Sequence, residues 1–390
     1  MLYIFLSFTA TIATFLIVYT WIFFPLLVIL LAKSFNNKNK FQNNETNKIF
    51  KISVIVSAYN EEKNIKKKLI NLFEQDYPLS HLEIIVASDG SIDRTNDIVR
   101  EFNNVKLLDF KKNRGKAIIN NDAAKVANGE ILFFTDAETI LANDYISNAS
   151  NFFINQKYGC GSGNYTFHSA EAFGKSESLY WKIEKTIRES EYRIGILPFA
   201  SGGCMMIRKE LYKEIPSHSD IDNILPLFII SKGMKVFYAN DAKAFDMAVN
   251  SEISHFNKRL RTTQRSLADI VSYLPKLING GYYTITFTIF SHRILRWFTG
   301  ILLLIVLLSS IVLSEFEKGF SSMWNIYLLM QILFYFLGLN GFIKERTKIN
   351  FSFFNRIISF IYSFILANIS FTIAILKILF GQKIRSWKSI

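Results

Sequence analysis

The sequence has few of the residues that cross-link a small secreted fold or hold a zinc ion. Cys160 and Cys204 are its only cysteines, and no CxxC pair occurs. A disulfide framework and a CxxC zinc site are therefore excluded, and both cysteines are expected to be reduced and buried. Histidine is also scarce, with five in 390 residues, and His255 and His292 are too isolated in the sequence to indicate a metal centre.

Charge is distributed unevenly along the chain. The sequence carries 45 Lys and Arg against 32 Asp and Glu, a net charge of +13, while 50% of its residues are hydrophobic. From His255 onward there are sixteen basic and four acidic residues, so nearly the whole excess lies among long apolar runs. Basic residues beside membrane spans contact anionic headgroups, whereas a nucleic-acid-binding domain carries them on a soluble face. The composition predicts membrane lipids, and not nucleic acid, as a partner.

The N-terminal segment 1–32 is predicted to be a retained membrane anchor. Residues 3–32 carry no charged side chain, and a helix of that length runs about 45 Å, enough to cross a bilayer. The run is longer than the core of a signal peptide, and no basic residue precedes it. The following linker, 33–50, is basic and rich in Asn, so the positive-inside rule places the next domain in the cytoplasm. We therefore expect a multi-pass protein of the cell membrane.

The C-terminal region 293–390 contains three further apolar runs, preceded by a basic amphipathic segment, 256–292, that is expected to lie at the membrane interface. The runs are Trp297–Leu313, Ile326–Ile343 and Ile357–Phe380. If all three cross the membrane, the basic tail ends outside the cell, against the positive-inside rule. The sequence therefore leaves two or three spans open in this region.

The central segment 51–255 alternates short β-rich runs with helical patterns. This alternation predicts an α/β fold, with a mostly parallel sheet covered by helices on both faces. Ligands of such sheets bind beyond the carboxyl ends of the strands. The predicted strands are Ile52–Ser57, Leu82–Ser88, Val105–Phe110 and Ile131–Thr135.

Carboxylates follow two of these strands. Asp89 begins an Asp-Gly-Ser sequence after the second strand, and Asp136 and Glu138 follow the fourth at a spacing of two residues. Paired carboxylates at a strand end suit a hard divalent cation that also binds a diphosphate. Asp and Ser are equally common as helix caps and turn residues, so a solvated turn is the alternative.

Two later sequences could complete a site. A basic loop that includes Lys116 precedes a helix, and such a helix start suits an anion, although a charged surface loop is as frequent. Asp220 and Asp222 precede another helical pattern, where a carboxylate could accept a proton from a hydroxyl group or could simply cap the helix.

Taken together and in this order, these sequences resemble the membrane-bound family 2 glycosyltransferases, near the bacterial poly-N-acetylglucosamine, hyaluronan and cellulose synthases. The resemblance extends over most of the chain, from Ser53 to Trp387. It rests on Ala58-Tyr59-Asn60-Glu61-Glu62, Asp89-Gly90-Ser91, Arg114-Gly115-Lys116-Ala117, Asp136-Ala137-Glu138, Ser201-Gly202-Gly203 and residues 290–297.

The resemblance implies a GT-A nucleotide-sugar-binding domain at 51–255. It implies Mg²⁺ or Mn²⁺ on Asp136 and Glu138, where the family more often has Asp at the second position. Asp222 is implied as the general base, with Asp220 as its rival because Ile221 stands where the family usually has an acid. The resemblance also implies nucleotide-sugar contacts from Tyr59, Glu61, Asp89, Lys116 and Asp136, and acceptor contacts from Gly202 and Gly203.

Processive members of the family usually carry a Gln-x-x-Arg-Trp sequence near the membrane. Here the corresponding segment lacks the Trp and the spacing, which weakens a prediction of processive synthesis. Guanidinium groups can still stabilise a leaving nucleotide diphosphate, although a basic helix lying on lipid headgroups is the alternative. The predicted diphosphate-binding residues are Arg259, Arg261, Gln264 and Arg265.

The sequence therefore predicts an inverting membrane glycosyltransferase, a hexosyl- or N-acetylhexosaminyl-transferase. It would move a sugar from a nucleotide-sugar donor, usually a UDP-sugar in this family, to a polysaccharide or lipid-linked acceptor during synthesis of cell-surface or extracellular polysaccharide. Subunits of a synthase complex are candidate partners. The alternative is a non-catalytic nucleotide-sugar-binding subunit of such a complex, and the carboxylates at 89, 136, 138 and 222 argue against it.

Overall fold

The computed structural model describes residues 1–35, 48–168, 172–247, 252–317, 319, 322–347 and 354–382. The four strands predicted from the β-rich runs are confirmed to within one residue at their ends. All eight strands of the described chain join one sheet: β1 Ile52–Ala58, β2 Leu82–Asp89, β3 Val105–Phe110, β4 Ile131–Asp136, β5 Ile140–Leu141, β6 Tyr158–His168, β7 Cys204–Arg208 and β8 Lys235–Met247.

The sheet is mixed but mostly parallel, as expected, since six of its eight strands run in one direction. Its order is β3-β2-β1-β4-β7-β6-β8-β5, and the first four strands are parallel. Strand β7 then runs antiparallel to both β4 and β6, and β5 runs antiparallel to β8. The reversal comes from long-range pairing of strands that are distant in sequence, so no local pattern indicates it.

Helices cover both faces of the sheet. Because successive side chains of a strand point to opposite faces, Val54 and Val56 join one core with Ile65 of α3, whereas Ile55 joins the other core with Ile119 of α5. The helices of this domain are α3 Ile65–Phe73, α4 Thr95–Arg100, α5 Lys116–Val126, α6 Tyr145–Ser150, α7 Ala172–Arg193 and α8 Ile221–Ser231.

The remaining helices of the described chain precede and follow this domain and include the long apolar ones. Helix α9, Glu252–Asn279, covers most of the segment predicted to be interfacial, and the next apolar helix begins at Tyr283, earlier than the span predicted from Trp297. Two π-helical turns, Tyr19–Phe23 and Phe290–Ile294, interrupt the apolar helices. The other helices are α1 Leu2–Val18, α2 Phe24–Ser34, α10 Tyr283–Ile289, α11 Leu295–Ser314, α12 Met323–Thr347 and α13 Phe354–Leu379.

Within the residues that the structure describes, four helices are long and apolar enough to cross a membrane, judged by length and composition: Leu2–Ser34, Tyr283–Ser314, Met323–Ile343 and Ile357–Leu379. This agrees with the larger of the two numbers of spans predicted. The basic residues on which the predicted sidedness partly depends, Lys38, Lys40, Lys383, Arg385 and Lys388, lie outside the described residues.

The first span runs antiparallel to the second. The Tyr3 hydroxyl donates to Glu317 at 3.0 Å, beyond the end of the second span, while Trp21 Nε1 donates to Thr299 Oγ1 at 3.0 Å. The Thr20 hydroxyl donates to the backbone oxygen of Ser291 at 2.7 Å. These contacts join the N-terminal anchor to the C-terminal helices in one bundle.

A buried group of charged side chains joins α7 to this bundle. Glu184 lies 3.1 Å from His292 Nε2 and accepts a hydrogen bond from Arg296 at 2.8 Å, and Glu191 lies 2.6 Å from His292 Nδ1. All four side chains are buried. Burial alone would raise the pKa of Glu184, but His292 and Arg296 lower it well below its usual range. His292, isolated in the sequence, is thus part of an ion-pair network in the fold.

Replacing Glu184 with Gln is expected to lower the free energy of unfolding by about 3–5 kcal/mol, because the buried Arg296 and His292 would lose the charged partner that they share. Thermal unfolding in detergent micelles measures the effect. Glu189→Gln on the same helix is the matched control, since Glu189 pairs with the half-exposed Arg193 and its loss should cost about 0.5 kcal/mol or less. Equal losses for the two variants would contradict the structural role of the network.

Candidate active site

Asp89, at the end of β2, organises the loop that leads into α5. Its side chain is fully buried and accepts the backbone N–H groups of Arg114 and Gly115 at 2.7 and 2.8 Å. Gly115 has φ +96°, a conformation that favours glycine, and caps the start of α5. The two hydrogen bonds therefore fix the position from which Lys116 extends into the site.

The loops after β1 and β2 are bonded to each other. Asn60, with φ +54°, is the one non-glycine residue with positive φ in the described chain. Its side-chain oxygen accepts the backbone N–H of Ile92 at 2.9 Å, and the Glu61 N–H donates to Thr95 Oγ1 at 2.7 Å. Burial raises the pKa of Glu61. Tyr59 and Glu61, both predicted to contact the nucleotide, are thus held at the same sheet edge as Asp89.

Lys116 interacts with carboxylates from both β4 and α8. Its Nζ contacts the carboxylate of Asp136, at the end of β4. Burial disfavours the charge on Lys116, but the negative charges of Asp136, Asp222 and Asp220 outweigh it and raise the pKa of this lysine. The sequence-predicted donor residue Lys116 and candidate base Asp222 therefore act on each other electrostatically.

Glu138 lies in a strongly acidic environment. Although Glu138 is exposed, partial loss of solvent around its carboxylate and the negative charges of Asp246 and Asp136 raise its pKa to about 7. Asp246, at the end of β8, is buried and accepts a hydrogen bond from the Tyr165 hydroxyl. A divalent cation would relieve the repulsion among these carboxylates, so the oxygen donors at Asp136 and Glu138 fit Mg²⁺ or Mn²⁺. No set of three His, Cys, Asp or Glu side chains in the described residues forms a metal cage, so diphosphate and water oxygens would supply the other ligands.

The two predicted acceptor glycines leave room for neighbouring side chains. A Cβ atom on Gly202 would lie 3.2 Å from Asp222 Cγ, and one on Gly203 would lie 2.8 Å from the Tyr165 ring. The backbone N–H of Ala200 also donates to the Asp222 backbone oxygen at 3.0 Å. The structure thus brings the loop around Gly202 directly against Asp222.

Asp220 and Asp222 have different surroundings. Asp220 occupies the N-cap position of α8, but its carboxylate accepts a hydrogen bond from Arg265 at 2.9 Å and none from the helix backbone. Asp222 lies in the first turn of α8, and burial together with the charge of Asp220 raises its pKa to about 6. Because Asp220 is held in an ion pair, the geometry favours Asp222 as the candidate base.

The predicted diphosphate ligands all lie on α9. Arg265 and Gln264 are buried, and Arg265 points to Asp220. Burial and the charge of Arg265 lower the pKa of Arg261. Arg265 therefore contacts the helix that carries the candidate base, and its contact with a diphosphate stays a prediction, as do those of Arg259, Arg261 and Gln264.

Several residues of the site have no motif in the sequence. Asp246 and Tyr165 come from β8 and β6, two strands that β-propensity alone did not reveal. Asp269 of α9 is buried, accepts the backbone N–H of Asp220 at 3.3 Å, and has a pKa raised to about 7 by burial. Lys68 of α3 lies in an otherwise apolar stripe of that helix. Only the folded arrangement brings these four residues to the site.

Comparison with known proteins gives two sequence findings. Residues 53–216 match the sequence model of Glycosyl transferase family 2. A poly-β-1,6-N-acetyl-D-glucosamine synthase of Staphylococcus epidermidis is 27% identical over 225 residues, covering 56% of this chain and 53% of the relative. The chain thus spans about half the length of this relative. These matches confirm the resemblance that the motifs indicate.

A second relative and one solved structure extend the comparison. A dolichyl N-acetyl-α-D-glucosaminyl phosphate 3-β-D-2,3-diacetamido-2,3-dideoxy-β-D-glucuronosyltransferase of Methanococcus voltae is 35% identical over 103 residues, covering 25% of this chain and 32% of the relative. The mannosyltransferase PcManGT from Pyrobaculum calidifontis, in complex with GDP-Man and Mn²⁺, aligns with a TM-score of 0.68 at 20% identity. That alignment covers 96% of this chain and 100% of the other, and it confirms the predicted GT-A fold.

Proposed function

We propose that the protein transfers a sugar from a nucleotide-sugar donor to a polysaccharide or lipid-linked acceptor, because residues 53–216 match the sequence model of glycosyl transferase family 2. The donor would be of the UDP-sugar class, and the product would contribute to cell-surface or extracellular polysaccharide. One observation carries this proposal: the neighbouring carboxylates of Asp136 and Glu138 and the carboxylate of Asp222, beside a glycine loop, meet at one edge of the sheet.

The donor side would hold the nucleotide diphosphate. Asp136 and Glu138 would bind Mg²⁺ or Mn²⁺, which when present neutralises charge on the diphosphate oxygens. Lys116 would neutralise further charge as the diphosphate leaves, because it contacts Asp136 and stands at the start of α5. Tyr59 and Glu61 would position the nucleotide from the loop after β1.

On the acceptor side, Asp222 would accept the proton of the attacking hydroxyl group. The acceptor oxygen forms a bond to the anomeric carbon while the bond from that carbon to the diphosphate oxygen breaks. The electron pair of the broken bond leaves with the nucleotide diphosphate, and the proton stays on the Asp222 carboxylate. A single displacement of this kind inverts the anomeric configuration without a covalent enzyme intermediate.

The location of Asp222 agrees with an acceptor that approaches along the membrane. Arg293, in the π-helical turn of the second apolar helix, opposes part of the rise in the pKa of Asp222 and stacks on the Phe199 ring at 4.3 Å. The candidate base therefore lies close to the place where the domain meets the apolar helices. We propose that the domain faces the cytoplasm of a cell membrane and that acceptors reach it from the bilayer or leave through it.

Nucleotide release by the detergent-purified full-length protein tests the proposal. The donor panel contains UDP-GlcNAc, UDP-glucose and GDP-mannose, each with Mn²⁺ or Mg²⁺, and native membranes supply acceptors in a parallel series. We expect release with one UDP-sugar, and a gel then distinguishes a ladder of long products from a single lipid-linked product. Nucleotide binding without release, in detergent and in membranes, would support a non-catalytic subunit instead.

A further inference from the structure

Lys68 occupies a position on α3 where the helical pattern places apolar residues. Ile65, Leu69 and Leu72 lie on the same face of this helix, at spacings of three and four residues, and are completely buried. Lys68 is buried with them at 0% exposure. Removing an ammonium group from water costs several kcal/mol even after the protein relaxes, so a lysine here needs compensating contacts.

The compensating contacts lie at both ends of the predicted metal-binding turn. Lys68 Nζ donates one hydrogen bond to Thr135 Oγ1 at 2.8 Å and another to the backbone oxygen of Thr139 at 2.7 Å. Thr135 immediately precedes Asp136, and Thr139 immediately follows Glu138. One nitrogen atom therefore ties together the two ends of the turn that carries both carboxylates.

The hydrogen bonds continue from this turn to the acceptor-side loop. Thr135 Oγ1 donates to the backbone oxygen of Gly203 at 2.9 Å. Because the single hydroxyl proton of Thr135 goes to Gly203, this hydroxyl can only accept from Lys68. Lys68, Thr135 and Gly203 thus form a buried chain of hydrogen bonds, the Lys68 relay, between the donor and acceptor sides of the site.

The relay does not depend on one protonation state. Burial lowers the pKa of Lys68 to about 7, and the negative charges of Asp136 and Asp246 oppose that fall. The ammonium and the neutral amine each carry the two N–H donors that the contacts require. Both hydrogen bonds therefore form on either side of neutral pH.

We propose that Lys68 is a positioning residue that holds Asp136 and Glu138 in the geometry needed to bind one divalent cation with the donor diphosphate, and that sets this site against the acceptor-side loop through Thr135. Lys68 acts through the turn and does not contact the reacting atoms. The inference rests on the proposed function, because that function assigns the two carboxylates to the cation.

Three roles for Lys68 give different results when it is replaced with Met. If its charge only repelled the cation, Mn²⁺ would bind more tightly to the variant. If Lys68 only stabilised the fold, the melting temperature would fall while the folded variant bound Mn²⁺ as before. As a positioning residue, its loss weakens Mn²⁺ binding by the folded protein about 10–100-fold, the range observed for groups that support metal ligands.

The experiment titrates the full-length protein in detergent micelles with Mn²⁺ in the presence of UDP and measures free Mn²⁺ by electron paramagnetic resonance. Lys68→Gln keeps an N–H donor and is expected to recover part of the affinity lost in Lys68→Met. Thr135→Val should lose affinity in the same way, whereas Thr135→Ser keeps the hydroxyl and should bind as the wild type. Lys67→Met, at an exposed position on the same helix, is the matched control and should also bind as the wild type.

The variants separate failure of this inference from failure of the proposed function. If the wild type binds Mn²⁺ no better than Asp136→Ala, the metal site is wrong and the inference falls with it. If the wild type binds Mn²⁺ and both Lys68→Met and Thr135→Val match or exceed it, the inference alone is overturned. The Thr135 pair decides the question even if Lys68→Met does not fold.

Discussion

Replacing Asp222 with Asn is expected to reduce sugar transfer about 10²–10⁴-fold, the contribution typical of a general base, while nucleotide binding stays unchanged. The amide keeps the size of the carboxylate beside Gly202 but cannot accept a proton. Rates of transfer and the affinity for UDP, measured on the same preparation, separate the two effects.

Asp220→Asn is the control for this prediction. Asp220 is paired with the buried Arg265, so its replacement should lower the melting temperature more than the rate of transfer. Asp222→Asn should be at least as stable as the wild type, because burial disfavours the charge that it removes. Full transfer by Asp222→Asn together with an inactive Asp220→Asn would assign the base to Asp220.

The same assignment predicts an acidic limb in the pH dependence of transfer. Burial and the charge of Asp220 raise the pKa of Asp222 to about 6, so the carboxylate becomes protonated below that pH and can no longer accept a proton. The rate is therefore expected to fall about tenfold for each pH unit below about 6. A rate that stays constant from pH 7 to pH 5 would contradict Asp222 as the base.

The second large effect is expected for Asp136→Ala, which should lower transfer at least about a hundredfold, because a metal ion supplies several kcal/mol of charge stabilisation. The variant should also lose the Mn²⁺ dependence of UDP binding. Isothermal titration of UDP with and without Mn²⁺ provides the measurement. Asp144→Ala is the matched control, because Asp144 is exposed and lies shortly after β5. This variant should bind UDP and Mn²⁺ as the wild type does.

If Mn²⁺ affects UDP binding by Asp136→Ala as it does in the wild type, the metal does not bind at the Asp136–Glu138 turn. The structure offers Asp246 as another carboxylate near Glu138, because after burial its charge is the largest cause that raises the pKa of that group. Asp246→Asn would then abolish the Mn²⁺ effect in place of Asp136→Ala. If Asp136 binds the metal, Asp246→Asn is expected to perturb Mn²⁺ binding less than Asp136→Ala does, since the Tyr165 hydroxyl already donates to Asp246.

The first half of the sheet is predictable from the sequence because its strands are continuous hydrophobic runs. Strand β1 is buried on both faces, so β-branched residues dominate it and reveal it locally. Strand β6 instead contains three glycines, at 159, 161 and 163, which make room for side chains from elsewhere in the fold. A Cβ atom on Gly161 would lie 2.4 Å from the Phe237 ring, a long-range requirement that no local pattern records.

The places of the predicted nucleotide-sugar contacts can be read from the sequence for a similar reason, since these residues follow strands whose carboxyl ends must share one edge of the sheet. Asp89 and Asp136 are examples. The supporting residues depend on contacts between distant segments: Glu184 reaches Arg296 across more than a hundred residues, and Lys68 reaches Thr139 across 71. A lysine in an apolar stripe resembles a helix boundary or a surface position until the fold shows its partners.

The anomeric configuration of the new glycosidic bond is the most direct test of a single displacement with Asp222 as the base. The reaction uses the α-linked donor that the panel identifies, and the coupling constant of the anomeric proton in the product is read by nuclear magnetic resonance. We expect a β-linked product, because one hydroxyl deprotonated by Asp222 displaces the nucleotide diphosphate in a single step. An α-linked product would require a mechanism other than a single displacement and would contradict the role given to Asp222.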